Sequence, residues 1–393
     1  MKSTLTRVPR TVWALGFVSM FMDISSEMIH GLLPVFLTTT LGASMFLVGL
    51  IEGISEFTVS TVKVFSGWLS DKLGKRKLLA VIGYGLAALT KPVFPLAVTP
   101  YEVLGARFAD RVGKGIRGAP RDALVADVTH DDIRGAAYGL RQSLDTIGAF
   151  VGPLAAIGLM IVLAGDIRSV FWWAIIPAAI AVLLLVLGVE DAPANGNGGG
   201  KTSRAPLQLS ELRQMGRGYW AVVTLGGVFS LARFSEAFLI LRGNEVGLSA
   251  AYVPLVLVAM NVAYAAVAAP VGALSDRMDR KALLAFSLAI LVLSDVVLAL
   301  FANVLGLMIG ALLWGVHMGF SQGLLSALVA DTAREELRGT AFGVFNLVTG
   351  VALLIASIVA GSLWNWVGAE ATFAMGAVFA AICLGGLGMV KAR

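Results

Sequence analysis

Apolar residues run along this chain in long blocks, each closed by a short polar stretch. The blocks fall at 12–39, 46–70, 77–98, 100–127, 136–163, 169–190, 217–243, 251–275, 281–302, 304–331, 338–363 and 369–390. A helix needs about 20 residues to cross ~30 Å of hydrocarbon. It also satisfies its own backbone there, and barrel strands are much shorter. The pattern therefore predicts an all-α membrane protein with twelve transmembrane helices. Lys2, Arg7 and Arg10 precede the first block. No small-residue cleavage site follows it, so the block reads as the first span and not as a signal peptide.

Composition strengthens this picture. Hydrophobic residues make up 58% of the 393 and charged residues only 14%, whereas soluble domains average about 25% charged. The pI near 9.4 does not point to nucleic acid, because the basic residues sit mainly in short loops between blocks. Nineteen Lys and Arg fall on one side of the predicted spans, against Arg168 and Arg242 on the other. Positive loops stay cytoplasmic. Both termini are thus expected in the cytoplasm, in what reads as a bacterial inner membrane. The single cysteine, Cys383, excludes an intrachain disulfide and reads as a small buried hydrophobe. A Gly-rich stretch, Asn195-Gly-Asn-Gly-Gly-Gly200, marks 191–216 as a cytoplasmic linker between bundles at 1–190 and 217–393. Within it, 207–215 could form an amphipathic surface helix or coil.

The two bundles repeat each other. Gly67-Trp-Leu-Ser-Asp71 and the basic loop after it return as Gly272-Ala-Leu-Ser-Asp276, 205 positions later. Leu124-Val-Ala-Asp127 returns as Leu328-Val-Ala-Asp331, and Arg134-Gly-Ala-Ala-Tyr-Gly139 as Arg338-Gly-Thr-Ala-Phe-Gly343, each 204 later. Six spans per repeat is an even number, so the repeats run parallel.

On these residues the chain resembles the major facilitator superfamily along its full length. The loop between spans 2 and 3 matches the family signature G-x-L-x-D-x-x-G-[RK]-[RK] through Gly67, Leu69, Asp71, Gly74, Lys75 and Arg76. The second copy keeps Asp276 and Arg280 but has Asp279 aligned with Gly74. In the family these groups latch a conformational switch. Arg111-Val-Gly-Lys114-Gly115 is similar to a further family motif, with Lys114 in place of Gln. Gly148-Ala-Phe-Val-Gly152-Pro153 is similar to the bend motif of the drug-efflux antiporter branch. The resemblance implies two six-helix bundles in the major facilitator fold, and proton-coupled export.

Ionisable residues inside the spans carry the candidate chemistry, since each is costly in lipid. Asp23, Glu27 and His30 share one face of span 1 at i, i+4, i+7. With Glu56 and Asp145 they are the proton-coupling candidates. Span 4 holds Arg107, Asp110, Arg111, Lys114, Arg117, Arg121 and Asp122, with Arg107, Arg111, Lys114 and Arg121 on one stripe. A stripe of that sign suits a carboxylate or phosphate, which guanidinium grips in a fork; ion pairing with neighbouring acids is the competing reading. Arg141, Arg233, Glu236, His317 and Gln322 complete the cavity candidates. Phe229, Phe234, Phe238 and Trp314 are candidate apolar contacts, and Asp295 reads as a polar packing group. Met20, Met22 and Met28 read as packing, so no metal site is expected. No cofactor motif, P-loop or catalytic constellation is present, so no enzyme is expected. The expectation is a secondary transporter acting as a monomer on a small molecule and protons, by alternating access. Uptake or exchange of a small anion is the alternative. A non-transporting membrane receptor is the remote one.

Overall fold

The computed structural model describes residues 7–190, 212, 215–275, 278–321, 323–334 and 337–387. Every regular element among them is helical. Asp276, Gln322 and nearly all of the linker, including most of 207–215, lie outside the described residues.

In chain order the helices are α1 (Arg10–His30, prolonged by Leu33–Val35 and the π-turn Phe36–Thr40), α2 (Met45–Leu73), α3 (Arg76–Thr90), α4 (Pro100–Val128), α5 (Arg134–Val162) and α6 (Ile167–Trp173 and Ile175–Gly188). There follow α7 (Arg217–Ala232 and Ala237–Glu245), α8 (Leu255–Ser275), α9 (Arg280–Leu300), α10 (Val304–Ser321 and Leu324–Thr332), α11 (Arg338–Trp366) and α12 (Ala369–Gly386). Among the described residues, ten helical stretches are long and apolar enough to cross a bilayer. The other two fall short for different reasons. α8 offers only the shorter apolar stretch Leu255–Ala268. α4 is long enough, but charge dilutes its hydropathy, and much of that charge turns inward.

Contacts divide the chain into two compact units. One holds Met1–Gly31 with Thr58–Ala205, the other Leu32–Phe57 with Pro206–Arg393. The core of the first gathers Val12, Leu15 and Val18 of α1, Tyr84 and Ala87 of α3, and Ala178, Ala181 and Leu185 of α6. In the second, α9 packs on α10 and α12, and α7 packs on α11 and α12.

Several predicted spans are interrupted, two of them in the second unit at α7 and α10. The stretch 217–243 is not one helix: residues 233–236 leave helical geometry, and Ser235 Oγ accepts from Ala237 N at 3.2 Å to restart it. The serine side chain gives that backbone a polar partner of its own. The stretch 304–331 breaks before Gly323, whose φ of +95° glycine adopts without penalty.

The signature loop differs between its two copies. Gly74 adopts φ +63°, and Lys75 then stands at the N-cap of α3. Asp279 is the N-cap of α9, and its side chain accepts from Lys281 N at 3.0 Å. The caps are 204 apart, so Asp279 aligns with Lys75 and not with Gly74. The second copy supplies a capping carboxylate at this position.

Candidate functional site

α4 enters the first unit carrying charge on most of its faces, and the neighbouring helices meet that charge. At one end Lys91 Nζ donates to Asp110 Oδ1 at 3.0 Å and to Ser26 Oγ at 3.1 Å. Both members of the pair are deeply buried, with side-chain exposures of 2% and 7%. Arg111 Nε lies 4.0 Å from the other Asp110 oxygen. Arg107 Nη2 is 3.3 Å from His30 Nδ1 on α1.

About two turns further along α4, Arg117 stacks its guanidinium 4.4 Å above the Tyr84 ring and reaches Asp23 at 4.0 Å. Tyr84 Oη and Ser19 Oγ share a hydrogen bond of 2.9 Å. Arg121 donates to Ser19 Oγ at 2.9 Å and to Asp122 Oδ1 at 3.1 Å, with Asp145 at 3.8 Å. Arg141 completes the set, donating to Asp145 Oδ2 at 2.6 Å and lying 3.7 Å from Asp122. Side chains of α1, α3, α4 and α5 thus form one ionic network inside the first unit. Its basic groups outnumber its acids, so it can accept a further negative charge or hold each acid in competition between cations.

The close approach of α1 and α5 depends on two glycines. A methyl group at Gly148 would lie 2.6 Å from Met20 O, and one at Gly152 would lie 2.6 Å from Glu27 Cβ. α5 continues through Pro153 as one helix. This seam sets Asp145 beside the charges of α1 and α4.

The structure brings together Asp23, His30, Arg107, Asp110, Arg111, Arg117, Arg121, Arg141 and Asp145. It separates others from them. Lys114 is exposed, and Arg117 takes the buried place that the predicted stripe gave to it. Glu56 belongs to the second unit, within electrostatic reach of Arg233, as is Glu236. There Ser235 Oγ donates to Glu52 Oε2 at 3.4 Å. His317 Nδ1 pairs with Ser287 Oγ at 2.9 Å, and its ring stacks on Phe229. Phe234 packs against Phe238, Trp314 and Phe373 at centroid distances of 5.5–5.7 Å. These aromatic rings are buried in mutual packing.

Lys91 was not among the sequence candidates. Its only signal is a lone lysine inside an apolar block, directly before Pro92. Ser19, Ser26 and Tyr84 give no signal in sequence, because their partners come from other helices.

The signature loop forms a second, exposed ionic group. Arg76 reaches Asp127 at the end of α4 at 2.6 Å and Asp71 at 3.7 Å. Its counterpart 204 residues later, Arg280, pairs with Asp331. Gly67 packs on Ala119, where a methyl group would sit 3.5 Å from the alanine Cβ.

Among the described residues no cluster of His, Cys, Asp or Glu is arranged to hold a metal ion. Residues 15–242 and 234–391 match the family model of the Major Facilitator Superfamily. The chain is 30% identical over 381 residues to an uncharacterised MFS-type transporter of Methanocaldococcus jannaschii, covering 95% of this chain and 93% of that protein. It is 24% identical over 394 residues to the inner membrane transport protein YajR of Escherichia coli, covering 95% and 82%. Its fold is similar to that of the nucleoside transporter NupG, with a TM-score of 0.80 at 13% identity over 97% of this chain and 100% of that one. The chain therefore belongs to the Major Facilitator Superfamily, as a membrane transport protein.

Proposed function

We propose that this protein is a proton-coupled secondary transporter of twelve transmembrane helices that exports a small molecule by alternating access, with both termini cytoplasmic. The observation that carries the reading is the ionic network of the first unit. Asp23 lies 4.0 Å from Arg117, and Asp145 sits between Arg141 and Arg121 at 2.6 and 3.8 Å. Protonating either acid frees an arginine to change partner. A network of this kind links proton binding to helix rearrangement. The Gly148–Pro153 motif supports export, through its similarity to the antiporter branch.

The test begins with a thermal-shift screen of metabolites and drugs on purified protein. Flux of each hit is then measured in liposomes with and without an imposed pH gradient. Gradient-driven flux is expected in the wild type and is expected to be lost in Asp23→Asn and Asp145→Asn. Flux indifferent to the gradient and to both substitutions removes the proton role.

A second reading is uptake or exchange of a small anion, favoured by the basic excess along α4. It predicts that Arg111→Ala and Lys114→Ala abolish the thermal shift caused by anionic ligands. Unchanged shifts in both variants would eliminate it.

A further inference from the structure

The 204-residue repeat places a second buried acid at an informative position. In the first unit Lys91 of α3 pairs with Asp110 of α4. The same offset leads to Asp295 on α9 and Trp314 on α10. The register holds along both helix pairs. The N-caps are Lys75 and Asp279. Gly83 touches Gly113, and their counterparts Ser287 and His317 are hydrogen-bonded. At the repeated site an acid replaces the lysine and an indole replaces the acid. The cation of the first unit has no side-chain equivalent in the second.

Asp295 is fully buried, and neither carboxyl oxygen has a hydrogen-bond partner; Trp314 Nε1 has none either. A methyl group at Gly376 of α12 would come within 2.5 Å of Asp295 Oδ2 and 2.9 Å of Phe234 Cε1. The carboxyl group is therefore walled by backbone and aromatic ring. The titratable and charged groups on the surrounding helices are engaged elsewhere or out of its reach. On α10, His317 Nδ1 bonds to Ser287. On α12, Cys383 Sγ donates to Leu225 O, and Glu370 pairs with Arg242 of α7. Arg242 also holds Glu245, while Arg233 has Glu236 and Glu56 within electrostatic reach. Ionised, the Asp295 carboxylate would lack a counter-ion and a side-chain or backbone donor among the described residues.

We propose that Asp295 is a proton-binding site of the second unit, its proton standing where the first unit has the Lys91 ammonium. The site goes beyond the transport reading, because its occupancy is read without measuring flux. The test is infrared spectroscopy on reconstituted protein at neutral pH, paired with labelling of the wild type by an apolar carbodiimide, which modifies protonated carboxyl groups. The expected result is a carboxylic-acid C=O band that Asp295→Asn removes and Asp145→Asn retains, with an adduct mapped to Asp295 by mass spectrometry. Either the band loss or the adduct supports the site. A band unchanged in Asp295→Asn together with an unmodified Asp295 overturns it. Asp295→Glu decides the matter where the Asn variant does not fold: a carboxylic-acid band shifted from its wild-type position supports the site, and an unshifted band overturns it.

Discussion

Lys91 and Asp110 show what a single pair contributes inside the first unit. Removing one partner of a buried pair leaves an uncompensated charge, which costs about 3–5 kcal/mol, whereas replacing both by apolar groups is often close to neutral. Lys91→Met is therefore expected to lower thermal stability in detergent markedly. Adding Asp110→Leu is expected to recover most of that loss. A double variant no more stable than Lys91→Met would show that the pair does not carry the effect. Gly152 makes a steric prediction of the same local kind. Gly152→Leu drives a side chain into Glu27 and Ile24. Overpacking of this sort costs about 1–3 kcal/mol, read as a fall in melting temperature that Gly158→Leu, at an open position, does not show. The charges of α4 were legible in the sequence as expensive groups on a membrane helix. Their partners were not, since Lys91, Tyr84 and Ser19 stand 19 to 102 positions from the α4 residues they meet and share no periodicity with them.

At the scale of the element, helix ends and breaks followed local chemistry. Asp166 caps the first segment of α6, accepting from Arg168 N at 3.1 Å and from Ser169 Oγ. The Ser169 hydroxyl and then the backbone N–H groups hold its carboxyl below the usual carboxylate range. A lowered value means that the cap stabilises the fold above about pH 4. That stability disappears as pH falls through the lowered value. Asp166→Ala is expected to cost about 1 kcal/mol at neutral pH, less where solvent screens this exposed end. Melting curves of wild type and variant should converge in acid; a constant gap across pH would contradict the cap. The blocks predicted from hydropathy lie within a few residues of the helices, because burial in lipid and backbone satisfaction act on each segment alone. The interruption at 233–236 was not legible. Arg233 and Glu236 read as isolated charges in a continuous span, and the neighbours of this segment, Glu52 and Glu56, come from α2.

Over the whole molecule, the orientation rests on the loop charges. A Cys383→Ser chain is expected to accept single cysteines without loss of fold, since Cys383 is buried and makes only a 3.7 Å contact to Leu225 O. In right-side-out vesicles, Arg168→Cys should react with an impermeant maleimide, while Lys75→Cys should react only after the membrane is opened. The reverse pattern would invert the topology.

The sequence by itself determined the helical class, the approximate spans and the internal repeat, at 205 positions through the signature loop and 204 from Asp127 to Asp331; the caps of α3 and α9 then set Arg280 opposite Arg76 in the pairs with those acids. These are properties of one segment, or of two segments compared letter by letter. Only the tertiary structure decided which buried charges meet. A helix fixes the face on which a residue lies, but not the neighbour that face will find. That is why the same pair of positions reads as an ordinary ion pair at Lys91 and Asp110, and leaves a solitary acid at Asp295.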